Sequence, residues 1–208
     1  MQEFKTIKND LSNEIVEKKS RFIADIFYVE TEEDIIEKLK QVKSKYYDAR
    51  HHCFAYRIMQ ENGIKDKSSD DGEPGGTAGA PILNVITKNE LVNVLVVVTR
   101  YFGGILLGAG GLVRAYSESA VEVIKKVETI IKKSGYIAEI EISYQDLENL
   151  KYVLKTNKIK INDIVYEENV KLVIEIDEET KVEIENQTSV ISKFVKKFKF
   201  LDRKYVDK

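Results

Sequence analysis

The sequence predicts an α+β protein of two domains, at residues 1–133 and 134–208. Three observations predict it. A continuous β-branched run at 91–99 (LVNVLVVVT) sits between two glycine-rich stretches and reads as a central strand buried on both faces. From Tyr136 the pattern changes to strand, helix, strand, strand, helix, strand, the βαββαβ order of a ferredoxin-like domain. Between residues 50 and 114 the composition itself changes: four of the six Arg, both His, both Pro, the single Cys and ten of the 11 Gly fall there.

The elements follow in order. Residues 18–28 read as a strand carrying Phe22, Ile23, Ile26 and Phe27. Thr31 then stands as an N-cap, with Glu32, Glu33 and Asp34 where carboxylates suit the helix dipole. Ile35, Ile36, Leu39, Val42 and Tyr46 recur at helical spacing, which predicts a short amphipathic helix ending near Tyr47. Residues 53–59 alternate as a strand. Residues 60–80, polar and glycine-rich, predict one long loop, and a loop of that length is mobile or functional. After the central strand comes the second glycine-rich stretch, 100–111, and then a helix marked by Leu112, Tyr116, Ala120, Val123 and Val127. Residues 130–135 are expected to lead out of the first domain. In the second domain, strands are predicted at 137–143, 159–166, 170–177 and near 200–206. Its helices are predicted at Leu147–Leu150–Leu154 and from about Glu178.

Composition excludes several classes. No apolar run reaches the roughly 18 residues that a bilayer span needs, and the first ten residues hold no signal-peptide core. One cysteine, Cys53, allows no intrachain disulfide and no multi-cysteine zinc site, and fits a reducing cytoplasm. The net charge of −2 argues against coating nucleic acid by bulk electrostatics, yet leaves room for a local basic patch. Charge does not separate the two halves.

Three segments carry candidate chemistry. In Arg50-His51-His52-Cys53, the cations suit an anion or one or two metal contacts. Neighbours in a strand face opposite ways, so one His is equally a core residue. In the segment from Ser69 to Pro81, Asp70, Asp71 and Glu73 precede a glycine-rich turn with Thr77. They read as a Mg²⁺ site, as partners of the arginines that organise the loop, or as a solvated acidic loop. In Thr99 to Arg114, a strand end bearing Arg100 and Tyr101 runs through Gly103, Gly104, Gly108, Gly110 and Gly111 into a helix. Arg114 is expected in that helix's first turn. Free N–H groups at a helix start suit an anion; tight helix-on-sheet packing is the alternative. Five Gly and two Arg favour an exposed, functional connection. No nucleophile–base pair completes itself, and neither a Walker A motif nor a Rossmann fingerprint is present.

Lys19-Ser20-Arg21-Phe22-Ile23-Ala24, the 49–56 stretch, Asp70-Asp71-Gly72-Glu73-Pro74 with Gly76-Thr77-Ala78-Gly79, and VVVTRYFGGILLGAGGLVRAY at 96–116 together resemble the YigZ/IMPACT family. The resemblance covers about residues 15–127, and the remainder looks like the small C-terminal domain of its bacterial branch. It implies an N-terminal αβ sandwich like the second domain of a small-subunit ribosomal protein, also seen in GHMP kinases. It implies a C-terminal domain like the last domain of elongation factor G. Eukaryotic members regulate translation by competing for the activator of an initiation-factor kinase. Fold analogy with the kinases licenses no kinase activity. The expectation is therefore a cytoplasmic, non-enzymatic binding protein without a required cofactor. Its partner would be RNA, the ribosome or a translation-associated protein, held through Arg50, His51, His52, Arg100, Tyr101, the five glycines and Arg114. The rival expectation is an enzyme on a small phosphorylated or carboxylated ligand, with Mg²⁺ on the acidic loop.

Overall fold

The computed structural model describes residues 3–60 and 62–208. The chain forms two compact units, Phe4–Ile130 and Ile131–Lys208, the latter joined by Glu3.

The first unit is built on an antiparallel sheet of order β2-β3-β6-β4-β5. Its strands are β2 (Leu11–Glu17), β3 (Ser20–Tyr28), β4 (His51–Gln60), β5 (Gly63–Ser69) and β6 (Val94–Tyr101), preceded by the short β1 (Glu3–Ile7). β6 lies at the centre, and its alternation explains the layering. Val94, Val96 and Val98 enter a core with α2 (Gly79–Lys88) and α3 (Gly108–Lys126). Leu95 and Val97 enter a second core with α1 (Glu32–Lys45) on the opposite face. The continuous apolar run is what a strand covered on both faces requires. α1 begins with a capping box, in which the Thr31 side chain and Asp34 satisfy each other's backbone N–H groups.

The second unit follows β7 (Thr129–Ile142), α4 (Leu147–Thr156), β8 (Lys160–Tyr166), β9 (Val170–Asp177), α5 (Glu178–Glu185) and β10 (Val195–Asp207). Its strands pair in the order β10-β7-β9-β8, all antiparallel, which is the ferredoxin-like arrangement. Ile140, Leu150, Leu172 and Ile174 are among the residues of its core.

The structure corrects three readings. Residues 60–80 are not one loop: 63–69 form β5, hairpinned to β4, and α2 starts at Gly79. β5 is an edge strand, and Lys65, Asp66 and Lys67 give it the polar look of a loop. β1 and β2 fall where the sequence predicts no strand, although Leu11, Asn13, Ile15 and Glu17 are the less exposed positions of an alternating edge strand. Residues 130–135 lead out of the first unit, as expected, and do so within the long strand β7. Arg114 lies in the second turn of α3, because that helix starts at Gly108.

Candidate functional site

Strands β4 and β6 pair so that His51 lies opposite Arg100. That register brings the first and third candidate segments together. They line a cleft of about 410 Å³ with walls of Asp48, Ala49, Arg50, His51, Arg100, Tyr101, Phe102 and Leu106. Arg114 and Gly111 lie elsewhere, around a smaller hollow of about 130 Å³ with Glu17, Lys18 and Glu118.

The floor of the cleft is a buried polar chain. Arg100, only 7% exposed, donates from Nη1 to Glu73 Oε1 at 2.6 Å. The Tyr116 hydroxyl donates to the same oxygen at 2.8 Å. The Cys53 thiol lies 3.3 Å from that hydroxyl and 2.9 Å from the Asp70 carbonyl. Burial pushes the Cys53 thiol up to about 12, with Glu73, Asp71 and Asp70 adding to the effect, so it is no thiolate nucleophile at neutral pH. Burial likewise raises the Tyr116 phenol far above its ordinary value. Phe22 and Phe102 lie across the Arg100 guanidinium, with ring centroids 5.5 and 5.6 Å from it.

The acidic loop is spent on the protein itself. Asp70 accepts from the backbone N–H groups of Gly76 (2.8 Å), Ala78 (2.9 Å) and Gly79 (2.8 Å). Burial opposes its charge, but those three bonds prevail and hold its pKa below the usual range. Asp71 accepts from the His52 backbone N–H at 2.7 Å, and Thr77 donates to the Pro74 carbonyl at 2.7 Å. The three carboxylates thus face three different sets of partners. A Mg²⁺ ion there would have to open these bonds. Among the described residues no group of three His, Cys, Asp or Glu side chains is placed to hold a metal ion.

The two histidines part company as strand alternation demands. His52 is buried and donates from Nε2 to the Tyr46 carbonyl at 3.1 Å. His51 faces the cleft. Its Nδ1 donates to the Asp71 carbonyl at 2.9 Å, which leaves Nε2 as the acceptor in the neutral ring.

The rim is open. Arg50 is exposed and has no ion-pair partner among the described residues. Phe102 is 54% exposed and Leu106 83%. Tyr101 donates to Asp48 at 2.7 Å, and this bond is the largest of the effects that push its phenol up to about 12. Beyond the rim the connection to α3 begins at Gly103, whose N–H is held by Ser20 Oγ at 3.1 Å. A Cβ there would overlap the Lys19 carbonyl, so glycine is obligatory. Gly104 and Gly108 adopt positive φ. The start of α3 has no side-chain cap and no acidic residue in its first turn, and Gly108, Ala109 and Gly110 are exposed. Sequence reasoning missed Asp48 and Tyr116 as members of the site. Neither carries a local signal, because each reaches the site through a partner 43 or more residues away.

A twisted sheet covered on both faces, followed by a ferredoxin-like unit, defines a class of two-domain α+β proteins; similarity to known proteins gives it a family. Residues 18–124 match the Impact N-terminal domain, and residues 140–187 match a domain of unknown function, DUF1949. The IMPACT family member YvyE of Bacillus subtilis is 39% identical over 190 residues, 91% of this chain and 84% of that protein. The IMPACT homolog of Dictyostelium discoideum is 44% identical over 97 residues, 45% of this chain and 28% of that protein. A crystal structure of a hypothetical protein superposes with a TM-score of 0.67 at 28% identity, covering 97% of each chain. The chain belongs to the IMPACT family. Among the described residues, no helix is long and apolar enough to cross a membrane.

Proposed function

We propose that this protein is a binding and regulatory protein linked to translation, and that it contacts RNA, the ribosome or a translation-associated protein through the cleft rim and the start of α3. One observation carries the reading. The rim places Arg50, which has no ion-pair partner among the described residues, beside the exposed Phe102 and Leu106, while the Cys53 thiol and the Glu73 carboxylate are bonded inward. An exposed cation beside an exposed aromatic ring suits recognition of phosphate with an adjoining planar or apolar group. Kinship with the IMPACT family, whose eukaryotic members the resemblance describes as regulators of translation, supports the link to that process; the residues of the cleft lie within the Impact N-terminal domain match at 18–124.

Arg50→Ala is the informative variant. Arg100→Ala would disturb the floor, whereas Arg50 can be removed with a stability change within about 0.5 kcal/mol. Co-sedimentation with ribosomes and with total RNA, at rising salt, is expected to show several-fold weaker retention of Arg50→Ala. Equal retention of variant and wild type at every salt concentration would reject the reading.

A further inference from the structure

The second unit hides a strong separation of charge. Residues 193–208 hold seven Lys or Arg and two Asp, a net charge of +5, whereas the rest of the chain holds 26 basic and 33 acidic residues, a net charge of −7. Most of this segment is β10, an edge strand that pairs with β7. At the entry to β10 lies a cleft of about 510 Å³, walled in part by Lys193, Lys196 and Lys197 and by Gln187, Ser189 and Ser192. Among the described residues no carboxylate lines it, in a chain with 35 of them. Ser189 is buried, and the Ser192 hydroxyl is buried with no hydrogen-bond partner among the described residues. A buried hydroxyl without an acceptor is costly unless something supplies one. Lys193 has no ion-pair partner among the described residues, and Lys197, although 3.2 Å from Glu141, keeps its side chain 76% exposed. Phe194, Phe198 and Phe200 are partly buried against the core of the unit, and of the three only Phe198 also lines the cleft.

From this geometry we infer that the cleft and the adjoining face of β10 bind the phosphate backbone of single-stranded RNA without reading its sequence. Lysine charges with hydroxyl and amide donors between them are the chemistry of backbone recognition, and the phenylalanines are turned mainly toward the core rather than toward a base. The choice of RNA over other single strands rests on the proposed link to translation; the phosphate site itself does not.

Lysines on an edge strand also deter strand-to-strand aggregation. Charge reversal separates the two roles, because glutamate guards an edge as well as lysine does. The test is fluorescence anisotropy of a labelled oligouridine with the full chain, using wild type, Lys193→Glu/Lys196→Glu and Arg50→Ala. The double variant is expected to stay soluble, to keep its melting temperature and to bind on the order of tenfold more weakly. Its slope of log K against log salt should shrink by about 0.7 for each phosphate that is no longer neutralised. Ser192→Ala should weaken binding without changing that slope. Two results would overturn the inference: affinity and slope unchanged in the double variant, or competition by polyglutamate or inorganic phosphate as strong as by RNA at equal charge. Loss of binding in Arg50→Ala alone would overturn it while leaving the first cleft's role standing.

Discussion

The segments 70–78 and 102–107 both feed a helix, α2 and α3, and both are rich in glycine. Their polar groups go to opposite places. At the start of α2, Ala78 has no side chain to cap with, and the Asp70 carboxylate, eight residues upstream, takes the N–H groups of Ala78 and Gly79. It does the work of an N-cap and adds a negative charge where the helix dipole favours one. At the start of α3, Leu107 caps nothing, and no carboxylate stands near in sequence to take that place. One glycine-rich turn is closed by the protein's own anion, and its near-twin is left open. The difference separates glycines that let a loop fold inward from glycines that keep a surface clear.

The sharpest way to break the inward loop is through Glu73. Its carboxylate is the ion-pair partner of Arg100 and the acceptor for Tyr116, both buried. Glu73→Ala leaves an uncompensated guanidinium in the floor and is expected to cost about 3–5 kcal/mol. Urea denaturation measures this. Glu73→Gln, which keeps an acceptor for both donors, should recover part of the loss. A Glu73→Ala protein as stable as wild type would mean that water or a shifted side chain serves Arg100 equally well.

Asp70 gives a smaller effect with a pH signature. Asp70→Ala frees three backbone donors and is expected to cost about 2 kcal/mol at neutral pH. Because its folded pKa lies below the unfolded value of about 3.9, the contribution is complete above the unfolded value. It is lost as pH falls through the folded one. The gap between wild type and Asp70→Ala in urea midpoint should therefore be constant from about pH 5 to 8 and narrow below about pH 4. A gap independent of pH would show that the loop is held by the chain's geometry rather than by this carboxylate.

These contrasts also mark what could be read from the sequence. The buried run of β6, the N-cap at Thr31 and the order of the second unit announce themselves, because each is a local pattern with a period or a spacing. The 50–114 cluster is visible as composition. Its division of labour is not. Arg100 and Arg50 look alike in the sequence, and only the β4–β6 register and the Glu73 loop turn the first inward. The edge strand β5 hides behind its lysines, and the basic segment at 193–208 hides within the near-neutral charge of its half. The acidic residues of β9 and α5 offset it in the total without sharing its cleft.

The smallest effect bears most directly on the open loop. A methyl at Gly110 meets nothing within 4 Å, and its φ is not positive, so the fold gives no reason for glycine there. Gly110→Ala in the first turn of α3 should stabilise the chain by about 0.5 kcal/mol, since alanine loses less backbone freedom in a helix. Natural selection for stability alone would favour alanine. Glycine at this place makes sense if a partner's backbone or phosphate comes close to the free N–H groups of the turn. The variant should then melt slightly higher and bind ribosomes or RNA more weakly, two changes of opposite sign from one methyl group. A higher melting temperature with unchanged retention would show that this crest of the loop is open to solvent without being used, and would confine partner binding to the rim around Arg50.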